Sequence, residues 1–286
     1  MQPFSKTAIY KSATLYIIFH RPLRFQTPQY KHFLREREEG EREREREMCT
    51  LERKGNIFIL TLTGLGEHRL NPTLIDSIQS ALTQVRAAVT TTSASSSPAA
   101  LITTAHGKFF SNGYDLSWAQ SSQSRRYLMD AKLRSLVSDF ISLPVPTIAA
   151  VSGHASAAGF ILALSHDHLL MRRDRGFIYM SELDIELILP AWFLALIESK
   201  VGSPRARRDL LLRGDKVTAD VAVKKGIIDS AHDSAEKTVE AAVRLGEELV
   251  GRKWNGHVYA QIRKDLLSEV LDEIRRDNGT GMRSKL

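Results

Sequence analysis

A chain of 286 residues, 43% hydrophobic and 26% charged, is long and apolar enough to bury a sizeable core, as one domain or one domain with appendages. Its single cysteine, Cys49, excludes an internal disulfide framework and a cysteine-based metal cluster, and the nine histidines show no metal-ligand spacing. Of the net charge of +7, +3 belongs to Met1–Glu47 with its ten basic and seven acidic residues; elsewhere no basic stripe is interleaved with aromatics, which argues against a nucleic-acid partner and suits a small polyanionic ligand.

Residues 1–35 contain no acid, several Lys and Arg, and the short apolar run ATLYIIF, a composition compatible with a transit peptide. The REREEGERERERE that follows is what a GAGAGA nucleotide repeat encodes when read as protein. The expectation is that the native start is Met48 and that residues 1–47 form a non-native or disordered extension outside the fold; a solvated charged helix is the alternative. N-terminal sequencing of the native protein decides this, because any peptide from before Met48 overturns it.

From Met48 the pattern turns globular, so residues 48–286 form the expected domain. NIFILTLTG reads as a strand, and TLIDSIQSALTQVRAAV places Leu74, Ile78, Leu82 and Val85 on one helical face. TTTSASSSP is a polar connection, AALITTA a short buried strand, and HGKFFSNGYDL a loop whose glycine opens a helix. An amphipathic run with Leu133, Leu136, Val137 and Phe140 follows, then the strand PTIAAVSG, the turn and helix HASAAGFILALSH, and the strand HLLMRR. The remainder reads as helices with stops at Gly202, Gly214, Gly226 and Gly251. Leu143–Leu164 lacks Asp, Glu, Lys and Arg over 22 residues, enough to cross a bilayer. Its two prolines, two glycines and histidine divide it into strand and helix instead, so no membrane span is expected. Strands alternating with helices predict an α/β fold, and no repeat of solenoid length is present.

Chemistry concentrates in three places. FFSNGYDL (Phe109–Leu116) and GHASAAGFILAL (Gly153–Leu164) are small-residue turns between a strand and a helix, where a ligand can approach free backbone N–H groups; each alone is equally a tight turn or a close packing contact. FIYMSELDIELILP (Phe177–Pro190) sets Glu182, Asp184 and Glu186 among apolar residues, where a desolvated carboxylate is costly. These acids either alternate towards water or include a working base.

Together these segments resemble the enoyl-CoA hydratase/isomerase (crotonase) family. The turns match its F-x-x-G-x-D segment and the G/A-rich turn after P-x-I-A-A-V-x-G, while SELDIELILP and KVTADVAVKKGIID match later stretches. The likeness spans roughly Met48–Lys264 and is strongest to the plant-type peroxisomal Δ3,Δ2-enoyl-CoA isomerases. It implies a spiral of ββα units with a C-terminal helical region, a homotrimer or dimer of trimers, an acyl-CoA substrate and no metal or redox cofactor. It also implies that the N–H groups of Tyr114 and Ala158 form an oxyanion hole, that Asn112, Gly113, Ala157 and Gly159 shape it, and that Arg69 and Lys108 meet coenzyme A. His154 is structural.

Family hydratases carry two catalytic acids. The first falls here on Ile161, which moves no proton, and the second on Glu182. One base suffices to shift a double bond, whereas adding water needs groups to activate it, so the resemblance implies isomerisation with Glu182 as the base and Asp184 as a structural or solvent-facing partner. Glu186 stands where the family usually has Gly, and is harmless if it points to water. Ala157–Ala158–Gly159 replaces Gly-Gly-Gly, and the connection from Trp118 to Phe140 is shorter than is usual. Rival readings are hydration, isomerisation of a dienoyl-CoA, or a non-catalytic acyl-CoA-binding scaffold. The last three residues, Ser284, Lys285 and Leu286, match the S-K-L address read by the peroxisomal import receptor, so a peroxisomal location is expected, which disagrees with a transit peptide.

Overall fold

The computed structural model describes residues 48–64, 66–90 and 98–276. The expectations for residues 1–47, for most of the TTTSASSSP connection and for Ser284, Lys285 and Leu286 fall outside the described residues.

The first two strands, β1 (Cys49–Lys54) and β2 (Ile57–Leu62), form an antiparallel hairpin that pairs Lys54 with Ile57. The sequence reading recognised β2 and missed β1, because CTLERK is an edge strand whose second half is charged and exposed and so lacks an apolar run. Next to β2 lie β3 (Ala100–Ala105), β5 (Thr147–Val151), β7 (His168–Arg172) and β9 (Ser230–His232), all parallel. Every residue of β2, β3 and β5 is buried. Helices cover both faces of this sheet, which is why these strands read as continuous apolar runs rather than alternating ones.

On one face lie α1 (Pro72–Thr90) and α3 (Gln123–Ile141). The predicted stripe of Leu74, Ile78, Leu82 and Val85 is buried, as are Leu133, Leu136, Val137 and Phe140. On the other face α8 (Ala235–Gly251) seats Ala241 and Ala242 against Ile59, Ile102, Ile148 and Leu170. The small side chains let the helix approach the sheet closely.

After β3, β5 and β7 the chain adds a short strand before its next helix. These are β4 (Phe109–Ser111), β6 (His154–Ser156) and β8 (Ile178–Tyr179), which pair in parallel as a second sheet in that order. The helices that follow are α2 (Leu116–Ala119) with α3, α4 (Ala158–Leu164), and α5 (Ala191–Lys200). This is the ββα spiral. Strands of two or three residues carry no readable period, so β4 was expected as loop and β6 as turn.

The C-terminal region adds α6 (Pro204–Leu211), α7 (Ala219–Lys224), α9 (Gly256–Leu266) and α10 (Ser268–Arg276). Three of the predicted stops, Gly202, Gly214 and Gly226, lie just past helices, and Gly251 is the last residue of α8. Buried Arg263 anchors α9: it pairs with Asp167 at 2.6 Å and donates to the carbonyls of Leu143 and Val145. Among the described residues no helix is long and apolar enough to cross a membrane; Leu143–Leu164 divides into β5, β6 and α4.

Candidate active site

The three chemically suggestive segments leave the small sheet at the same end. Because β4, β6 and β8 run parallel, the residues that follow each strand emerge side by side. Asn112–Tyr114 follows β4, Ala157–Ala158 follows β6, and Met180–Glu182 follows β8. A cavity of about 300 Å³ opens there, lined by Tyr114, Ala157 and Glu182 and by the apolar Leu116, Ile188 and Phe193.

The first turn is held from both sides. The Leu70 N–H donates to the Gly113 carbonyl at 2.7 Å, and the Asp115 N–H donates to the Leu70 carbonyl at 3.0 Å. These bonds bracket Tyr114, whose own N–H takes no part in them. Asp115 then caps α2 by accepting from the Trp118 N–H at 2.9 Å. Gly113 has φ +76°, and a Cβ there would stand 3.0 Å from the Ser156 carbonyl oxygen and 3.1 Å from the Ala157 Cβ, so the second turn lies directly against the first.

In that second turn the Ala157 N–H donates to the Tyr179 carbonyl of β8 at 2.7 Å, while the Ala157 carbonyl accepts from Phe160 and Ile161. Ala157 has φ +51° and ψ −126°, a positive-φ conformation that costs a residue with a Cβ about 1–3 kcal/mol. That kink leaves the Ala158 N–H at the start of α4 without a backbone partner among the described residues. Gly159 is required by space: a Cβ would fall 2.2 Å from the Ser111 carbonyl oxygen. Ala158 is itself fully buried and offers only its N–H.

Glu182 sits in a tight turn in which the Leu187 N–H donates to its carbonyl at 2.9 Å. It is 8% exposed, and its Oε2 is buried without a hydrogen-bond partner among the described residues. Burial pushes its pKa up to about 7. A carboxyl group desolvated in this way, with no cation pairing it, is tuned to accept and return a proton near neutrality. Among the described residues it is the one carboxylate on the cavity wall. Ile161 is fully buried in the core, so no second acid stands where the hydratase pattern would place one.

Asp184 and Glu186 both face water. The Tyr179 hydroxyl donates to Asp184, and that bond pushes the phenol up to about 12. Glu186 has φ +56°, which gives the physical reason a glycine suits this place.

Of the expected substrate contacts, Arg69 and Asn112 line the cavity. Glu67 joins them, pairing with Arg69 at 2.6 Å and accepting from the Asn112 amide at 2.7 Å. Lys108 is not on the cavity wall; it is exposed, with its Nζ 5.4 Å from the centre of the Phe109 ring. His154 lies between the rings of Phe109 and Phe177. The sequence reading missed Tyr179, Ser181 and Phe193 on the wall. Tyr179 was legible only as one of the apolar residues around Glu182, and Phe193 only as part of a later helical segment.

Residues 60–276 match the enoyl-CoA hydratase/isomerase family. The Arabidopsis thaliana protein named enoyl-CoA delta isomerase 1, peroxisomal, is 65% identical over 224 residues, covering 78% of this chain and 91% of the relative. The one named enoyl-CoA delta isomerase 2, peroxisomal, is 52% identical over 230 residues, covering 78% and 93%. Among solved structures, an enoyl-CoA hydratase/isomerase family protein from Pseudomonas syringae superposes with a TM-score of 0.73 at 22% identity, covering 82% of this chain and 98% of that one.

Proposed function

The chain belongs to the enoyl-CoA hydratase/isomerase family, and from that premise we propose that it is a peroxisomal Δ3,Δ2-enoyl-CoA isomerase acting in fatty-acid β-oxidation. The relatives named for this activity and compartment support the reading. The observation that carries the mechanism is the buried carboxylate of Glu182 on the cavity wall, whose Oε2 has no hydrogen-bond partner among the described residues, together with the Tyr114 and Ala158 N–H groups, which have no backbone partner there.

In this mechanism the thioester oxygen of a 3-enoyl-CoA accepts hydrogen bonds from the Tyr114 and Ala158 N–H groups. The Glu182 carboxylate takes a proton from C2, and the electrons of that C–H bond move into a dienolate whose charge rests on the oxygen. The resulting carboxylic acid returns the proton to C4 as the C3–C4 double bond opens, leaving the double bond at C2–C3 and the carbonyl restored. Protons and electrons balance within the substrate, so the step calls for no metal or redox cofactor. One oxyanion donor is typically worth roughly 10²–10³ in rate. The apolar wall, with Leu116, Ile188 and Phe193, takes the acyl chain, and Arg69 meets the coenzyme A moiety. Assembly as a homotrimer or a dimer of trimers and import through Ser284, Lys285 and Leu286 belong to the same reading.

The test is turnover of 3-hexenoyl-CoA to 2-hexenoyl-CoA by the protein from Met48 onward and by its Glu182→Gln variant. Isomerisation in the first and a loss of roughly 10²–10⁴ in the second is the expected result for a general base. Equal rates would remove Glu182 from the mechanism. Water addition to 2-hexenoyl-CoA at a comparable rate would instead make the enzyme a hydratase.

A further inference from the structure

The oxyanion donor after β4 contributes only its backbone N–H, so its side chain could be of almost any kind. Here it is a tyrosine that points away from water and ends in a buried polar cluster. The Tyr114 hydroxyl donates to Asp130 Oδ1 at 3.0 Å, and the Trp192 indole N–H donates to the same oxygen at 3.2 Å. Arg134 pairs with Asp130 Oδ2 at 3.0 Å, one helical turn along α3. The Asp130 side chain is fully buried and that of Arg134 is 10% exposed. The Tyr114 ring stacks on Phe193 at 6.2 Å, and Phe193 is itself on the cavity wall.

Two physical points follow. A hydrogen bond to an ionised carboxylate is stronger than one between neutral groups, and at 3.0 Å Asp130 holds the Tyr114 side chain at its far end while the Leu70 bridge holds the backbone at its near end. The N–H between them cannot swing without breaking one or the other. Asp130 also brings a negative charge towards a site where an enolate forms. Arg134 cancels it, and Arg134 is tied in turn to the Ile274 carbonyl of α10 at 3.2 Å.

We propose that Asp130, acting through the Tyr114 hydroxyl together with Trp192, is a positioning residue of the reaction: it aims the Tyr114 N–H at the thioester oxygen. This rests on the oxyanion-hole reading above. The cluster joins the small sheet's first turn to α3, α5 and the C-terminal α10, so the aim of the N–H depends on helices that contribute no reacting group.

The experiment compares the full-length enzyme with Tyr114→Phe, which keeps the ring, the stack and the N–H and removes only the anchor. It reads kcat and KM with 3-hexenoyl-CoA. It also reads the infrared carbonyl stretch of bound hexanoyl-CoA labelled with ¹³C at the thioester, which reports polarisation by the two N–H donors. The expected result is a fall in kcat of about tenfold with KM changed by less than about twofold, and a carbonyl stretch moved back towards its value in water. Asp130→Ala should give the same signature, and the double variant should lose no more than Asp130→Ala alone. If Asp130→Ala does not fold, Tyr114→Phe and the carbonyl stretch decide. An unchanged kcat and carbonyl stretch in Tyr114→Phe, even with lower thermal stability, would make the cluster structural and overturn the proposal. The carbonyl stretch in the unaltered enzyme separates this from the underlying reading: a bound thioester no more polarised than in water fails both, whereas a polarised one with an unperturbed Tyr114→Phe fails the positioning proposal alone.

Discussion

The two sheets of this protein are built from the same repeating unit yet do opposite work. The six-stranded sheet has strands of three to six residues, and β2, β3 and β5 are buried throughout between two layers of helix. The three-stranded sheet has strands of two or three residues and little area to bury. Its value lies in its ends, where two turns and a carboxylate are set beside one cavity. On the proposed mechanism, stability and chemistry are separated along each ββα unit: the first strand supplies the core, and the second aims a segment at the cavity. Positive-φ residues carry the cost of that aim, and Ala157 and Glu186 both flank the site.

The largest effect should come from removing the product of the small sheet. Glu182→Gln is expected to lower kcat by roughly 10²–10⁴ while the protein still folds. In the unaltered enzyme kcat/KM should rise with pH and reach half its plateau near pH 7, where Glu182 of the free enzyme ionises. Stability should run the other way. Because the folded pKa lies above the ordinary value of 4.5, the folded state binds the proton more tightly than the unfolded chain. The resulting stability is fully present below pH 4.5 and is lost as pH rises through 7. The unfolding free energy of the enzyme should therefore fall relative to Glu182→Gln across this window by on the order of 3 kcal/mol, measurable by denaturant titration at each pH.

The large sheet should give the reverse pattern. Leu101→Ala in β3 removes a fully buried side chain and is expected to cost about 2–5 kcal/mol of stability. Below its melting temperature kcat should stay within about twofold of the original. A large loss of activity in the folded variant would show that the two sheets are not separable. Gly159→Ala sharpens the contrast from the other side. Its new Cβ must push the second turn away from Ser111, so about 1–3 kcal/mol of stability should be lost, with a fall in kcat larger than that of Leu101→Ala. The smallest effect is expected from Glu186→Gly, which relieves a left-handed residue on an exposed turn. Thermal melting should show a gain of up to about 1 kcal/mol, with unchanged turnover.

Much of the large sheet was legible because burial leaves a trace in composition. NIFILTLTG and AALITTA are apolar because both faces are covered, and the stripe from Leu74 to Val85 is helical because one face is. The hairpin strand β1 left no such trace, since an edge strand can be charged. Glu182 was legible as an acid in apolar company and through resemblance. Its unpartnered Oε2 was not, because desolvation depends on what packs around it.

The sequence by itself determined the order of the longer strands and helices, the small residues of the two turns, the absence of an acid at Ile161, and the presence of Glu182 in an apolar segment. Local chemistry fixes these: periodicity, backbone space and the identity of a side chain. Tertiary structure decided that β4, β6 and β8 pair at all, that their ends share one cavity, that Glu186 faces water, and that a tyrosine and a tryptophan far apart in the chain converge on one oxygen atom of an aspartate. Pairing of two- and three-residue strands gains too little to be encoded locally. It is imposed by the long strands to which they are joined, so the position of each reacting group is set by contacts distant in sequence.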